Sequence, residues 1–443
     1  MGIPMSENTG TTPPNSFFRS LRYIGPGLIL TAGIVGTGEL IVTPHLAAEH
    51  GFTLLWLIIV GCIVKVFVQV ELGRYAVATG TPTLQMMDLV PGPRFKVGWM
   101  VWFFIPVYVA MISVLGGMLG GMAQIFTMAG IPLSPQVTAI ITGLTLAVLL
   151  GVGRYTMVER VCIGLVILFT LSTIFALVAL QFTDFEVSSA QVIEGLQFKL
   201  PDNFAVAFAA LGLIGLGAGE LIYYPYWCLE KGYAKRVGPR DAGWLERVNG
   251  WMRVMRIDAF ASLIVYTSAT VVFYLLGAAV LHAQNLKVAN SDMVPTLGNM
   301  YLESFGPAGF WIFLIGAFAT LYSTAFAASA ANGRLLANLL PMFGVCDATT
   351  DEETKAKRIK ISCIAVTAYG IIVYLIWPKP LTLILINGVG QSLLLPFLGI
   401  CALYLRYRKL PAELRPGKLW TIFLWLSALA LTSAGIYQLI DRF

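Results

Sequence analysis

The sequence predicts an all-α membrane protein: a 5+5 inverted repeat with about 11 transmembrane helices, the first and sixth of them broken. Three observations predict it. Apolar segments long enough to cross a bilayer recur along the chain. Lysine and arginine fall on one side of them. A nine-residue motif occurs twice, in segments that must run in opposite directions.

The 443 residues are 57% hydrophobic and only 12% charged, whereas a soluble domain usually carries about a quarter charged residues. Apolar runs of about 18 residues or more suffice to cross a ~30 Å hydrocarbon core. They lie near 24–48, 52–79, 98–129, 135–153, 157–181, 203–231, 257–283, 308–340, 358–377, 381–405 and 419–440. The polar residues before them, 1–20, read as a cytoplasmic disordered tail, and no cleavable signal peptide is expected. Residues 21–443 then form a single transmembrane domain. Repeat one covers about 21–181, repeat two about 202–405, and an extra helix about 419–440.

Orientation follows from the basic residues. With the N-terminus inside, 23 of the 29 Lys and Arg residues lie in cytoplasmic segments. Lys199, Lys287, Lys379 and Arg442 lie outside, and Lys65 and Arg74 lie within span two. This bias predicts a multi-pass inner-membrane protein with its C-terminus outside. Residues 238–256 interleave Trp244, Leu245, Val248, Trp251 and Met252 with Arg247 and Arg253, a spacing that suggests a helix lying in the cytoplasmic interface.

Some chemistries are excluded. The six cysteines are scattered, five of them inside apolar segments, and no Cys/His pair appears; neither a zinc site nor a disulfide frame is indicated. There is no nucleotide loop, no nucleophile–base constellation and no cofactor motif, so no enzyme is expected. Nucleic-acid binding is unsupported, because the basic residues track membrane edges.

The repeat carries the functional argument. Positions 36–44 read GTGELIVTP and positions 217–225 read GAGELIYYP, with six of nine residues identical at an offset of 181. An odd number of spans separates them, so the copies cross in opposite senses. Each copy is also a helix breaker. Glycine in a helix interior costs about 1 kcal/mol relative to alanine, and Pro44 and Pro225 remove further backbone bonds. Interrupted backbone within a bilayer persists only where protein or a cavity surrounds it. Two interrupted helices in matching positions point to a transporter binding site. The alternative is that the glycines only let helices approach closely.

Glu39 and Glu220 follow the two breaks directly, where a half-helix N-terminus favours a carboxylate. Lys65 sits near the middle of span two. Such charges cost about 2.5–3.5 kcal/mol each at mid-bilayer, so they are expected to face inward. Glu39 and Glu220 are candidate metal ligands, aided by carbonyls freed at the breaks around Gly36, Thr37, Gly38, Gly217, Ala218 and Gly219. Either can instead carry a coupling proton, since burial disfavours the charged form of a carboxyl. Lys65 either joins the site or pairs with a glutamate as a structural counter-charge. Asn387 and Gln391 in span ten are candidate site-wall groups. Glu71 and Arg74, at i, i+3 spacing, read as a structural pair. Tyr223, Tyr224, Tyr226 and Trp227 read as an interfacial belt or helix packing, with lining of the inner mouth as the alternative.

At this point the chain resembles the Nramp family of proton-coupled divalent-metal transporters, which have the LeuT-type fold. Gly25-Pro26-Gly27, the GFTLLW run at 51–56, Gln69, Ala78-Thr79-Gly80 and Leu395-Pro396-Phe397 carry the resemblance. The departures from the family pattern are at the site. Gly36-Thr37-Gly38-Glu39 stands where the family has Asp-Pro-Gly-Asn. Gly217-Ala218-Gly219 replaces Met-Pro-His. Gly388 falls where the family has glutamine, and Lys65 where it has a small residue. Span three, 98–129, lacks the acidic proton-path residues that the resemblance implies.

Without that thioether and imidazole, the remaining donors are all oxygen, which suits Mg²⁺ or Mn²⁺ better than softer metals. The expected function is therefore secondary transport of a hard divalent cation, with protons as coupling partner. The expected state is a monomer in the bilayer. The competing readings are a carrier for a small organic or amino-acid-like solute, with free N–H groups at the breaks holding a carboxylate, and a non-transporting scaffold that keeps the fold alone.

Overall fold

A computed structural model of the chain describes residues 10–34, 36, 39, 43–152, 155–199, 214–285, 293–348 and 351–440. Among them the only strands are the two-residue pair Arg94–Phe95 and Val97–Gly98; everything else regular is helix. Span one is two pieces, Pro26–Ile34 and Thr43–His50. Spans two to five are Leu55–Thr79, Trp99–Met128, Pro135–Val152 and Tyr155–Leu180. The described part of span six is Ala218–Glu230. Spans seven to eleven begin at Trp244, Gly306, Glu352, Pro380 and Lys418.

Local chemistry sets several ends. Span two stops at Gly80, whose φ of 71° suits glycine and whose N–H reaches back to the Ala76 carbonyl. Span nine starts at Asp351, whose carboxylate accepts the N–H groups of Glu353 and Thr354. Span ten has Pro380 at its first turn, where a missing N–H costs nothing. Span eight runs from Gly306 to Met342, as the hydropathy implies, and a separate helix leads into it across a kink. Helix begins at Met293 and is interrupted at Gly306, where φ is 68°, just before Pro307.

Eight of the described helices are long and apolar enough to cross a membrane. The membrane-crossing windows of spans two, three and seven are about two-thirds buried, and those of spans four, nine and eleven about one-third. The second group shows its leucines and isoleucines to the outside, among them Leu144, Ile372 and Leu429. Spans one, two, six and seven pack together, and span three packs against eight, nine and ten. Span one crosses between the groups to reach span eight, and span eleven covers spans two and ten.

Two expectations change. Residues 244–256 are not a separate interfacial helix. They are the start of one helix, Trp244–Leu276, that continues through a wider turn at Gly277–His282. Val248, Trp251 and Met252 are buried in protein, and the Trp251 ring packs against Tyr23 and Tyr233. The aromatic–basic pattern thus records packing and cation–π contacts, with Arg236 4.9 Å from the Trp251 ring centre. Likewise Tyr223, Tyr224, Tyr226 and Trp227 are all buried, so they form no interfacial belt. The Glu71–Arg74 pair is present at 3.3 Å, buried, and extended by Arg406 at 3.4 Å and the Trp420 indole at 3.2 Å.

Candidate functional site

The first half of span one is held at both ends by other helices. Its N-terminal N–H groups have no partner within the helix. Asp258 of span seven supplies one, accepting from Gly25 and Gly27 at 2.7 Å each. The Tyr224 hydroxyl donates to the same carboxylate at 3.0 Å. At the other end, the Gly36 N–H turns back to the Ile34 carbonyl at 2.7 Å, which frees the Ala32 carbonyl. The Thr324 hydroxyl of span eight takes that carbonyl at 3.0 Å. A Cβ on Gly36 would collide with the Thr324 side chain, so glycine is required there for closeness. Thr37 and Gly38 lie outside the described residues.

Glu39 is fully buried. Its Oε1 accepts from the Gly215 N–H and the Thr270 hydroxyl, each at 3.1 Å. Its Oε2 has no hydrogen-bond partner among the described residues. Lys65, 1% exposed, donates to the Ile214 carbonyl at 2.6 Å. Among the described residues it makes no direct ion pair with either glutamate.

In span six the backbone bends at Ile214–Leu216, with Gly215 at φ 66°, and helix resumes at Ala218. The Gly219 N–H donates to Gln391 Oε1 at 3.0 Å, and Gln391 Nε2 donates to Asn387 Oδ1 at 3.2 Å. The structure therefore brings both span-ten candidates to the second break. A Cβ on Gly217 would run into the Gln391 amide, so this contact needs glycine as well. Glu220 lies in the first turn of the resumed helix, where the dipole favours its charge. It lines a small cavity with Tyr223 and Trp227 of span six, Gly33 of span one and Ala327 and Ala331 of span eight. The small residues of span eight let it approach closely enough to close the cavity wall. No sulfur or imidazole belongs to this lining. Among the described residues no group of three or more His, Cys, Asp and Glu side chains is placed to hold a metal ion.

The structure thus gives the two glutamates different surroundings. They are near enough, together with Lys65, to feel one another's charge. Yet Glu220 lines the cavity and Glu39 does not. A separate, wider pocket is lined by Tyr226, Glu230, Arg334, Asn338, Lys355 and Arg358. Arg334 grips Glu230 at 2.6 and 2.8 Å and lies 4.5 Å over the Trp227 ring.

Sequence reasoning missed Asp258, Thr270, Thr324 and Arg334. Asp258 alone left a signal, a lone acid at the start of an apolar run. It also left Asn332 unremarked, whose side chain takes the Tyr223 hydroxyl at 3.1 Å and whose carbonyl takes that of Tyr108 at 2.8 Å. Gln69, one turn after Lys65, is buried with neither amide atom hydrogen-bonded among the described residues.

Comparison with known proteins places the chain in a family and a fold. The family described as natural resistance-associated macrophage protein-like matches residues 27–441. The divalent metal cation transporter MntH of Deinococcus radiodurans is 23% identical over 313 residues, which is 70% of this chain and 67% of that protein. Further curated relatives are matched over less than half of their own length. A manganese transporter of Eremococcus coleocola superposes with a TM-score of 0.72 at 16% identity, covering 98% of this chain and 89% of that one. Mhp1, a nucleobase-cation-symport-1 family transporter, gives 0.61 at 14% identity over 98% and 94%. At such identities the likeness shows the fold, which is LeuT-type.

Proposed function

Because the chain belongs to the natural resistance-associated macrophage protein-like family, we propose that it is a secondary transporter carrying a divalent metal cation across the inner membrane. The observation that carries the reading is Glu220: a partly buried carboxylate, in the first turn of a half-helix, lining a cavity free of sulfur and imidazole. The cargo coordinates the Glu220 carboxylate and backbone carbonyls at the breaks, with water completing its shell. That oxygen set favours Mg²⁺ or Mn²⁺. Glu39 adds a second negative charge within electrostatic reach. Met111 of span three packs against Gly219, outside the cavity lining, so it does not offset the loss of a soft ligand.

The organic-solute reading is disfavoured at the second break. The Gly219 N–H that would hold a substrate carboxylate is already taken by Gln391. Proton coupling rests on the two carboxylates at the breaks, Glu39, fully buried, and Glu220, partly buried. The Glu230–Arg334 pair, with Trp227 beneath the guanidinium, closes the cytoplasmic end of the path. It must part for cargo release. The protein acts as a monomer, N-terminus inside and C-terminus outside.

The test is thermal. Millimolar Mg²⁺ or Mn²⁺ raises the melting temperature of the detergent-solubilised protein, and Glu220→Gln abolishes the rise. Saturation to 100 times Kd stabilises by about 2.7 kcal/mol, enough to read. A shift produced by amino acids or carboxylates and by no divalent cation sinks the reading.

A further inference from the structure

The peptide between Ile214 and Gly215 has an opposite charge at each end. Its carbonyl receives the Lys65 ammonium at 2.6 Å and its N–H points to Glu39 Oε1 at 3.1 Å. A peptide group carries a dipole of ~3.5 D, negative at oxygen and positive at N–H. Lys65 therefore sits at its negative end and Glu39 at its positive end. With Lys65 protonated and Glu39 ionised, both bonds are charge-assisted and stronger than neutral ones.

We propose that Lys65 and Glu39 are a matched pair of positioning residues that clamp the span-six break through this peptide, and that Glu39 acts on the cargo through the backbone rather than as a ligand.

Four spans meet at the clamp. Span one gives Glu39, span two Lys65, span six the peptide, and span seven Thr270, whose hydroxyl steadies the same carboxylate oxygen at 3.1 Å. Glu39 and Thr270 are fully buried and Lys65 is 1% exposed, so water does not compete for these bonds. The geometry admits no other residue at the turn. Gly215 is left-handed at φ 66°, and a Cβ there would lie 2.8 Å from Cys62 Sγ, one turn before Lys65 on span two.

The clamp also explains why neither charge is tolerable alone. Removing one partner of a buried pair strands the other without compensation. Removing both together strands no charge and leaves only the neutral peptide to be satisfied. The bend at Ile214–Leu216 leads directly into the helix that bears Glu220 three residues beyond Gly217. Fixing that peptide fixes where the Glu220 carboxylate stands in its cavity.

This inference rests on the transport reading for its consequence, and the experiment separates the two. Full-length Lys65→Met, Glu39→Gln and the double variant are purified in detergent. They are melted without divalent ions and then titrated with Mn²⁺. Each single variant loses several degrees, and the double variant loses less than the sum. The double variant keeps a Mn²⁺-induced shift of wild-type size at severalfold weaker half-saturation, whereas Glu220→Gln has none. Additive losses in the ion-free melts overturn the clamp. A stable double variant with no Mn²⁺ shift, beside a responsive wild type, makes Glu39 a ligand and also overturns it. Should the wild type ignore every divalent ion, the transport reading fails while the ion-free melts still decide the clamp. Should the lysine and glutamate variants not fold, Thr270→Val decides. It removes one bond to Glu39 and is expected to weaken Mn²⁺ half-saturation severalfold with the maximal shift intact; unchanged half-saturation overturns the clamp.

Discussion

At the scale of single residues, burial decides which charges matter. Asp258, 1% exposed, holds two backbone N–H groups of span one at 2.7 Å. Asp258→Ala is expected to lower stability by about 2–4 kcal/mol, read as a lower melting temperature with the cation shift retained. The Arg334–Glu230 pair is bidentate, but the Glu230 side chain is 25% exposed. Solvent screens it, so Arg334→Ala is expected to cost about 1–3 kcal/mol, below the range for a fully buried pair. The same change unpins Trp227, so efflux of preloaded Mn²⁺ from proteoliposomes should rise. Unchanged efflux would remove the pair from the inner closure. The glycines of the repeated motif were legible as helix breakers. That Gly36 and Gly217 are also needed for closeness, against Thr324 and Gln391, was not. The partners lie hundreds of positions away in the chain.

At the scale of elements, the breaks survive because neighbouring helices satisfy what they free. Thr324 takes the Ala32 carbonyl and Gln391 takes the Gly219 N–H. Thr324→Val keeps the shape and removes the donor. It is expected to cost about 1–2 kcal/mol, and a melting temperature equal to wild type would show that water replaces the hydroxyl. At the start of span nine, hydrogen bonds from Thr354 and Glu353 hold the Asp351 carboxyl below the usual carboxylate range. Because its pKa is depressed on folding, the cap stabilises above the unfolded pKa and is lost as pH falls through the folded value. Asp351→Asn should therefore flatten the acid side of the stability curve, measured as melting temperature against pH. The span-seven extension shows a limit of periodicity. Aromatic and basic residues at helical spacing look alike whether they meet lipid headgroups or Tyr23, Tyr233 and Arg236.

At the scale of the whole molecule, the basic residues predict sidedness. A membrane-impermeant thiol reagent applied to intact cells should label Lys379→Cys and spare Arg415→Cys in a background whose native cysteines are replaced. The reverse pattern would invert the topology. Transport coupled to protons predicts that an outside-acid gradient speeds Mn²⁺ uptake into right-side-out vesicles. A rate indifferent to the gradient removes the proton from the cycle. Both measurements concern the path as a unit, since spans one and six reach the site only through contacts with seven, eight and ten.

The sequence alone determined the all-α membrane fold and the two segments where helices break, and it predicts the sidedness of the crossings. Hydrophobic length, charge asymmetry and glycine–proline chemistry are local and survive in one dimension. It also named Glu39, Glu220 and Lys65, since a charge in an apolar run is visible without coordinates. Only the tertiary structure decided where those three stand. Glu220 lines a cavity, while Lys65 and Glu39 meet opposite ends of one peptide bond. The physical reason is that hydrogen bonding and closeness depend on which helices pack together, and no spacing along the chain encodes a partner 150 to 300 residues distant.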